Sequence, residues 1–130
     1  MKPELMYLAW ATIFTGVLWI PYVLDRLTVR GLADTVGYPE NPKAQSPWAQ
    51  RMKAAHANAV ENLVVFAALL LVANAAGISN STTVFAAALY FWSRVAHALA
   101  YTFALPWIRT LAFTGGFIAQ AMVAWQLVAR

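Results

Sequence analysis

Cysteine is absent from the chain, so disulfides and thiolate metal sites are excluded. Charge is also scarce: only 11% of the residues are Asp, Glu, Lys or Arg, against about 25% in soluble domains. Acidic residues are fewer than basic ones, five against nine, and no acidic residue follows Glu61. The basic residues are spread too evenly along the chain to form a nucleic-acid-binding patch. A soluble domain and a nucleic-acid partner are therefore both excluded.

Long uncharged stretches fill most of the chain, and 62% of all residues are hydrophobic. There are 20 residues between Glu4 and Asp25, 32 between Glu61 and Arg94, and 20 more after Arg109 before the last residue. A helix needs about 20 apolar residues to cross the hydrocarbon core of a bilayer. The sequence therefore predicts one all-α domain, an integral membrane four-helix bundle with spans at about 5–24, 49–76, 83–103 and 107–128.

Prolines and turn residues set the expected boundaries of these spans. Pro21 predicts a kink near the end of the first span, and Pro106 separates the third span from the fourth. The segment 25–48 holds three prolines and two glycines, which indicates a polar surface loop whose first part, 25–32, is expected to stay helical. A tight turn at 77–81 joins the second and third spans, with Ser81 or Thr82 as the expected helix cap.

The basic residues predict an orientation in the membrane. Most of them cluster at one membrane face, namely Arg26, Arg30, Lys43, Arg51, Lys53 and Arg109. The positive-inside rule then places the long first loop and the last turn in the cytoplasm, with both termini outside. The N-terminal segment carries Glu4 and lacks a small-residue cleavage site, so we expect it to be a span and not a signal peptide.

Two polar stripes interrupt the apolar helices. Arg51, Asn58 and Asn62 fall on a narrow arc of the second helix, and Glu61 flanks Asn58. A carboxylate inside a hydrophobic helix is costly unless a cation or a donor faces it, which makes Glu61 a functional-site candidate.

The second stripe lies on the third helix, where Tyr90, Arg94, His97 and Tyr101 are spaced 4, 3 and 4 residues apart. Arg109 follows just after the break at Pro106. Antiparallel packing brings both stripes to a similar depth, within one subunit or between neighbours. Together they offer many donors and one carboxylate, a set that suits a small anionic ligand also carrying an ammonium group.

Simpler interpretations stay open at this point. Arg94 and Glu61 can form a structural ion pair, His97 can make a helix–helix hydrogen bond, and Tyr90 and Tyr101 can serve in packing. His56 points away from the first stripe, which favours a structural or interfacial role. The polar residues can thus belong to an enzyme, to a non-catalytic bundle in which they only specify helix pairing, or to a four-span transporter with Glu61 as its proton-coupling carboxylate.

Three segments carry a resemblance to a known family. They are HANAVENLVVF at 56–66, RVAHALAY at 94–101 and PWIR at 106–109. With them the chain resembles the MAPEG family, the membrane-associated proteins of eicosanoid and glutathione metabolism, and in particular its small bacterial members. The resemblance implies a homotrimer of four-helix subunits in a bacterial inner membrane, with glutathione in a cleft between neighbouring subunits near the cytoplasmic side.

The resemblance also implies roles for individual residues. Asn58 and Glu61 are expected at the γ-glutamyl end of glutathione, and Arg109 beside its thiol sulfur as the main catalytic residue, with Tyr101 or Thr110 as a second donor. The remaining expected glutathione contacts are Arg51, Asn62, Arg94, His97 and Arg30, or Arg26 in place of Arg30.

The activity implied is that of a glutathione-dependent transferase or peroxidase. Its second substrate is a lipophilic electrophile or a lipid hydroperoxide that arrives from the membrane lipid. Ala54 and Ala57 depart from the family pattern, because many members carry arginine in this stretch. This departure leaves open another thiol, or a trimer that keeps the fold without the activity.

Overall fold

The structure, a computed structural model, describes residues 1–129, and Arg130 lies outside the described residues. All regular structure in the described chain is helical. The helices are α1 (Pro3–Val17), α2 (Trp19–Val36), α3 (Pro47–Ala75), α4 (Ser81–Thr102) and α5 (Pro106–Val128). The α3–α5 segments correspond to the second, third and fourth predicted spans, and α1 with the start of α2 corresponds to the first.

The first two helices follow one another with a break at Leu18. Pro21 lies three residues later, has no backbone N–H to donate to the carbonyl of Val17, and its ring crowds that carbonyl. The kink predicted at Pro21 therefore falls one turn earlier, at Leu18. The helix then continues to Arg30, close to the end of the helical part expected at 25–32, and a short helical segment beyond Gly31 reaches Val36.

A second irregularity in α2 occurs at Gly31, which has a φ of 76°. This conformation suits glycine because it has no Cβ to clash with the following carbonyl. The chain bends back there, and the Thr35 hydroxyl donates to the carbonyl of Arg26 at 3.2 Å.

Gly77 ends α3 in the left-handed region, with a φ of 75°. The N–H of Ile78 donates to the carbonyl of Ala73 at 2.8 Å, and the N–H of Gly77 donates to that of Asn74 at 3.1 Å. These two bonds form a Schellman motif, which satisfies carbonyls that the helix end leaves free.

Asn80 caps the start of α4, so the prediction of Ser81 or Thr82 was wrong. The Asn80 side-chain oxygen accepts from the N–H groups of Thr82 and Thr83, both at 3.0 Å, and the Asn80 N–H donates to the Thr83 hydroxyl at 2.9 Å. This reciprocal capping box satisfies the backbone N–H groups of Thr82 and Thr83 at the helix start and that of Asn80 itself. Asn80 is the cap because its short side chain reaches the two helix donors from this position.

The core lies around α4, which packs against α1, α3 and most extensively α5. Phe66 of α3 and Tyr90 of α4 are stacked at the centre, with ring centroids 4.0 Å apart and planes 4° from parallel. Alanines fill many of the remaining buried positions, among them Ala73, Ala87 and Ala119. Small residues let helix backbones approach closely, which is the main source of packing energy between helices in lipid.

Within residues 1–129, three helical segments are long and apolar enough to cross a membrane: Pro3–Val36, Pro47–Ala75 and Pro106–Val128. Many large apolar side chains also point outward from the bundle, including Ile13, Val64, Trp92, Phe117 and Trp125. An outer surface of this kind is stable in hydrocarbon. The fold is therefore an all-α bundle of the kind predicted, and it supports an integral membrane protein.

Candidate functional site

A polar hollow opens where α3, α4 and the start of α5 meet. It has a volume of about 310 Å³ and is lined by Asn58, His97, Tyr101, Arg109, Thr110 and Phe113. We call it the polar hollow. Four of these residues belong to the two predicted stripes or to the expected catalytic pair. The structure thus brings Asn58 of α3 to the same cavity as His97 and Tyr101 of α4 and Arg109 of α5.

Two smaller or shallower depressions adjoin the polar hollow through Tyr101. One, of about 200 Å³, includes Arg51, Tyr101, Ala104 and Arg109 in its wall. The other, of about 350 Å³, is lined by Pro47, Gln50, Arg51, Ala54 and Tyr101. Tyr101 therefore lies where three adjoining cavities with mixed polar and apolar linings meet. Arg51 is the cation on its α3 side, and Ala54 contributes no charge there.

The turn between α4 and α5 fixes the position of Arg109. Ala104 has a φ of 58°, the N–H of Leu105 donates to the carbonyl of Ala100 at 2.8 Å, and that of Ala104 donates to the carbonyl of Tyr101 at 3.2 Å. This is the same Schellman geometry as at Gly77, but with an alanine at the left-handed position, which costs about 1–2 kcal/mol.

Arg109 lies on the first turn of α5 directly after this turn. Its guanidinium carbon is 4.8 Å from the centroid of the Tyr101 ring. A cation over the face of a tyrosine ring is attracted by the negative face of the ring. Tyr101 therefore holds the guanidinium at the wall shared by the polar hollow and the smaller depression beside it.

Arg94 lies behind the polar hollow and is only 3% exposed. Its Nη2 donates to the side-chain oxygen of Asn58 at 2.7 Å and is 3.3 Å from Nδ1 of His97. Its Nε and Nη1 are buried and have no hydrogen-bond partner among residues 1–129. A buried guanidinium with unsatisfied donors is costly, so this position calls for an additional acceptor.

A chain of amides extends the polar face of α3 toward α5. The Asn62 side chain donates to the backbone and side-chain oxygens of Asn58, at 2.9 and 3.2 Å. Gln120 of α5 then donates to Asn62 at 3.3 and 3.4 Å. Sequence reasoning missed Gln120, although a buried amide within the uncharged stretch after Arg109 was a signal that could have found it.

Three other expected ligand residues lie away from the polar hollow or contact the backbone. Arg51 donates from Nε to the carbonyl of Thr102 at 3.0 Å, which joins α3 to the end of α4. Arg30 donates to the carbonyl of Lys43 at 2.7 Å and so holds the loop. Glu61 is exposed and has no hydrogen bond or ion pair with any residue in 1–129. The structural ion pair between Arg94 and Glu61 is not formed within this part of the chain.

The family model of the MAPEG family matches residues 7–129. The chain belongs to the MAPEG family. The resemblance seen in the sequence is thereby confirmed, and membership supports a membrane-bound, glutathione-related transferase or peroxidase kind of function. No curated protein and no solved structure matches the chain.

The long loop of this MAPEG protein is anchored beside the depression that Pro47 lines. Asp25 accepts from the Ser46 N–H at 3.0 Å and from its hydroxyl, while Gln45 donates to the carbonyl of Tyr22 at 2.7 Å. The Tyr22 hydroxyl is also 2.7 Å from Nδ1 of His56. His56 therefore joins α2 to α3, which is the structural role expected for it.

An apolar groove runs between α3 and α5 of the MAPEG protein, beyond the polar hollow. We call it the apolar groove. Its volume is about 390 Å³, and its lining residues are Val65, Leu69, Phe117, Gln120, Ala121, Ala124, Trp125 and Val128. Gln120 is the one polar residue in this lining. None of these residues was singled out from the sequence, because an apolar side chain in a membrane span carries no signal of its own.

Proposed function

We propose that this MAPEG protein is an integral membrane glutathione-dependent transferase or peroxidase that acts on lipophilic electrophiles or lipid hydroperoxides. The observation that carries the proposal is the placement of the Arg109 guanidinium over Tyr101 at the wall of the polar hollow. Asn58 and His97 line the same hollow, and the incompletely paired Arg94 lies behind it. This is a donor-rich cavity beside a fixed cation.

The chemistry follows from the charge of Arg109. A cysteine-type thiol has a pKa of about 8.5, and its thiolate is the nucleophile. A guanidinium beside the sulfur stabilises the thiolate, and lowering the pKa of the thiol by about 2 units takes about 2.7 kcal/mol. Tyr101 holds Arg109 in place, and its own hydroxyl makes no hydrogen bond with the described residues, so it is available as a second donor to the sulfur.

The remaining polar residues fit the other groups of glutathione. The unpartnered Nε and Nη1 of Arg94 are donors for a carboxylate, and Arg51 offers a second cation on the adjoining depression. Asn58, Asn62 and His97 supply neutral hydrogen-bonding groups. Glu61 is the carboxylate available for the ammonium group, and Arg30 completes the expected set from the loop side.

We further propose a homotrimer, and the position of Glu61 supports a contact between its subunits. Glu61 lies near the middle of α3, one of the membrane-crossing helices, and is exposed without a partner in the described chain. An unpaired carboxylate facing hydrocarbon is costly. If the polar hollow of a neighbouring copy faces Glu61, the carboxylate no longer faces hydrocarbon. The site is then a cleft between two subunits. The cytoplasmic placement of the loop and the external termini belong to the same proposal.

Glutathione activation is tested with the purified protein in detergent. The absorbance of the thiolate is followed against pH with glutathione bound, together with conjugation of an α,β-unsaturated aldehyde. We expect thiolate near neutral pH in the unaltered protein and its loss in Arg109→Ala, with Thr114→Ala as the control on the exposed face of α5. Absence of both thiolate and conjugation in the unaltered protein refutes the enzyme.

The shared site is tested by mixing inactive subunits. Glu61→Gln and Arg109→Ala proteins are each expected to lose most activity. If a site takes Glu61 from one subunit and Arg109 from the next, mixed trimers contain some intact sites and regain part of the activity. Cross-linking shows whether the two variants exchange subunits. If they exchange and no activity returns, the shared cleft is contradicted.

The side of the membrane on which the loop lies is tested separately. Because the chain has no cysteine, a single Ala44→Cys change gives one thiol whose labelling reports that side.

A further inference from the structure

Gln120 places an amide group deep within α5, one of the membrane-crossing helices. It is 8% exposed and lies about 16 Å further along the helix than Arg109. An amide in apolar surroundings is costly unless it is hydrogen-bonded. Its partner is Asn62 of α3, whose backbone and side-chain oxygens accept from Gln120 Nε2 at 3.3 and 3.4 Å. Gln120 thus links two helices, and the link continues from Asn62 toward the polar hollow.

The hydrogen bonds between Arg94 and Gln120 have a fixed direction. A guanidinium has only donors, so the Asn58 atom at 2.7 Å from Arg94 Nη2 is the side-chain oxygen. That oxygen also lies 3.2 Å from the side-chain amide of Asn62, whose nearer atom is therefore the nitrogen. The oxygen of the Asn62 amide then faces the Nε2 donor of Gln120. The orientation of each amide follows from the one before it.

This direction decides which group Asn58 offers to a ligand. The Asn58 side-chain oxygen already accepts from two donors, Arg94 and Asn62. The amide nitrogen carries the two N–H groups that remain, and Asn58 lines the polar hollow. Without Gln120, the Asn62 side-chain oxygen loses its donor from α5, and the Asn62 amide can turn away from Asn58.

We infer that Gln120 is a positioning residue for the polar hollow. It holds the Asn62 amide, which in turn holds the Asn58 amide with its N–H groups toward a ligand. That this ligand is glutathione rests on the proposed function. The effect falls on glutathione binding and not on activation of the thiol, because Arg109 and Tyr101 make no hydrogen bond with these amides in the described chain.

The kinetic test replaces Gln120 with methionine, which keeps the unbranched side chain and removes the amide. We expect KM for glutathione to rise about three- to tenfold, the effect of one lost hydrogen bond. The value of kcat and its pH profile are expected to stay the same. An unchanged KM in an active protein, or an equal loss of kcat, overturns the inference, since a residue that only pairs helices does not act on KM alone.

Gln126→Met is the matched control. It makes the same change on the same helix, but the Gln126 side-chain oxygen accepts from Asn80 at 2.8 Å, away from the polar hollow. We expect this variant to keep both KM and kcat. A rise in KM as large as that of Gln120→Met shows that loss of any amide on α5 disturbs binding, and this also overturns the inference.

A second measurement needs no glutathione. The chain has five asparagines, so isotope labelling of asparagine alone gives a simple NMR spectrum of side-chain NH2 groups. The signals of Asn58 and Asn62 are identified by their loss in the Asn58→Ala and Asn62→Ala proteins. We expect Gln120→Met to shift both signals and Gln126→Met to shift neither. A shift confined to Asn62 shows that the effect ends there and overturns the inference.

The two measurements separate this inference from the proposed function. If the unaltered protein conjugates nothing but its Asn58 signal responds to Gln120→Met, the enzyme is refuted and the positioning contact is supported. If the protein is active and neither KM nor the Asn58 signal responds, the enzyme is supported and Gln120 only joins α3 to α5.

Discussion

The guanidinium of Arg109 lies over the ring of Tyr101, with 4.8 Å between its central carbon and the ring centroid. The two residues belong to different helices and are brought together by the turn at Ala104. A contact of this kind contributes about 0.5–2 kcal/mol, with the larger values where water is excluded. The orientation of the proposed thiol-activating cation therefore depends on the turn as much as on the arginine itself.

We expect the Arg109→Ala change to lower kcat/KM for glutathione conjugation about 10- to 30-fold at pH 7. Without the cation the pKa of the bound thiol returns toward about 8.5, so less thiolate is present at neutral pH. Because the variant loses activity only through its smaller thiolate fraction, the difference in kcat/KM between the two proteins shrinks as the pH is raised above the thiol pKa of about 8.5. The measurement is the pH profile of kcat/KM for both proteins, and an equal loss at every pH argues that Arg109 acts in binding alone.

Arg94→Met is expected to separate binding from folding. Methionine keeps much of the side-chain length but removes a buried guanidinium of which two nitrogens have no partner in the described chain. Replacing such a charge with an apolar group is often neutral or stabilising. We expect the thermal stability in detergent to hold or rise, while the stabilisation by added glutathione disappears.

The matching change is Asn58→Ala, which leaves the Arg94 charge in place and removes its acceptor at 2.7 Å. This variant is expected to be less stable by about 1–3 kcal/mol, since a buried donor is left unpaired. If instead Arg94→Met is the less stable of the two, Arg94 is a structural residue, and its free nitrogens are not a ligand site.

Ala104→Gly is expected to stabilise the protein. Ala104 has a φ of 58°, where an L side chain is strained by about 1–2 kcal/mol, and glycine relieves most of that strain. Gly77→Ala is the reciprocal change at the other Schellman turn, where a Cβ meets nothing within 4 Å, so its effect is purely conformational. Opposite shifts in the unfolding midpoint check the prediction, and two shifts of the same sign contradict it.

Gly115→Ala is expected to destabilise the packing of α4 on α5 by about 1–3 kcal/mol. A Cβ added at Gly115 lies 2.6 Å from the Ser93 hydroxyl oxygen but 3.5 Å from the Ser93 Cβ. Adding Ser93→Ala should therefore restore most of the stability. Gly16→Ala is the control, since it meets no atom within 4 Å. A double variant as unstable as Gly115→Ala would show that the serine is not the obstacle.

Local sequence patterns predict most helices of this protein because its outer surface faces lipid. A helix that crosses the hydrocarbon core needs about 20 predominantly apolar residues, so the uncharged stretches around 5–24 and 107–128 indicate membrane helices directly. Helical periodicity is likewise local, and it places Arg94, His97 and Tyr101 on one face. The α3–α4 turn shows what local patterns do not predict. Asn80, Ser81 and Thr82 are all residue types that cap helices well, and only the backbone geometry selects Asn80.

The sequence by itself determined the helical class, the membrane character and the side chains available for chemistry, since these follow from composition and from spacing along one helix. Only the tertiary structure decided that Arg94 bonds to Asn58 while Glu61 is left without a partner in the described chain, and that Gln120 reaches Asn62. The reason is physical: the rotation of each helix about its axis is set by small residues at the contacts, such as Gly115 against Ser93, and those contacts join residues far apart in the chain.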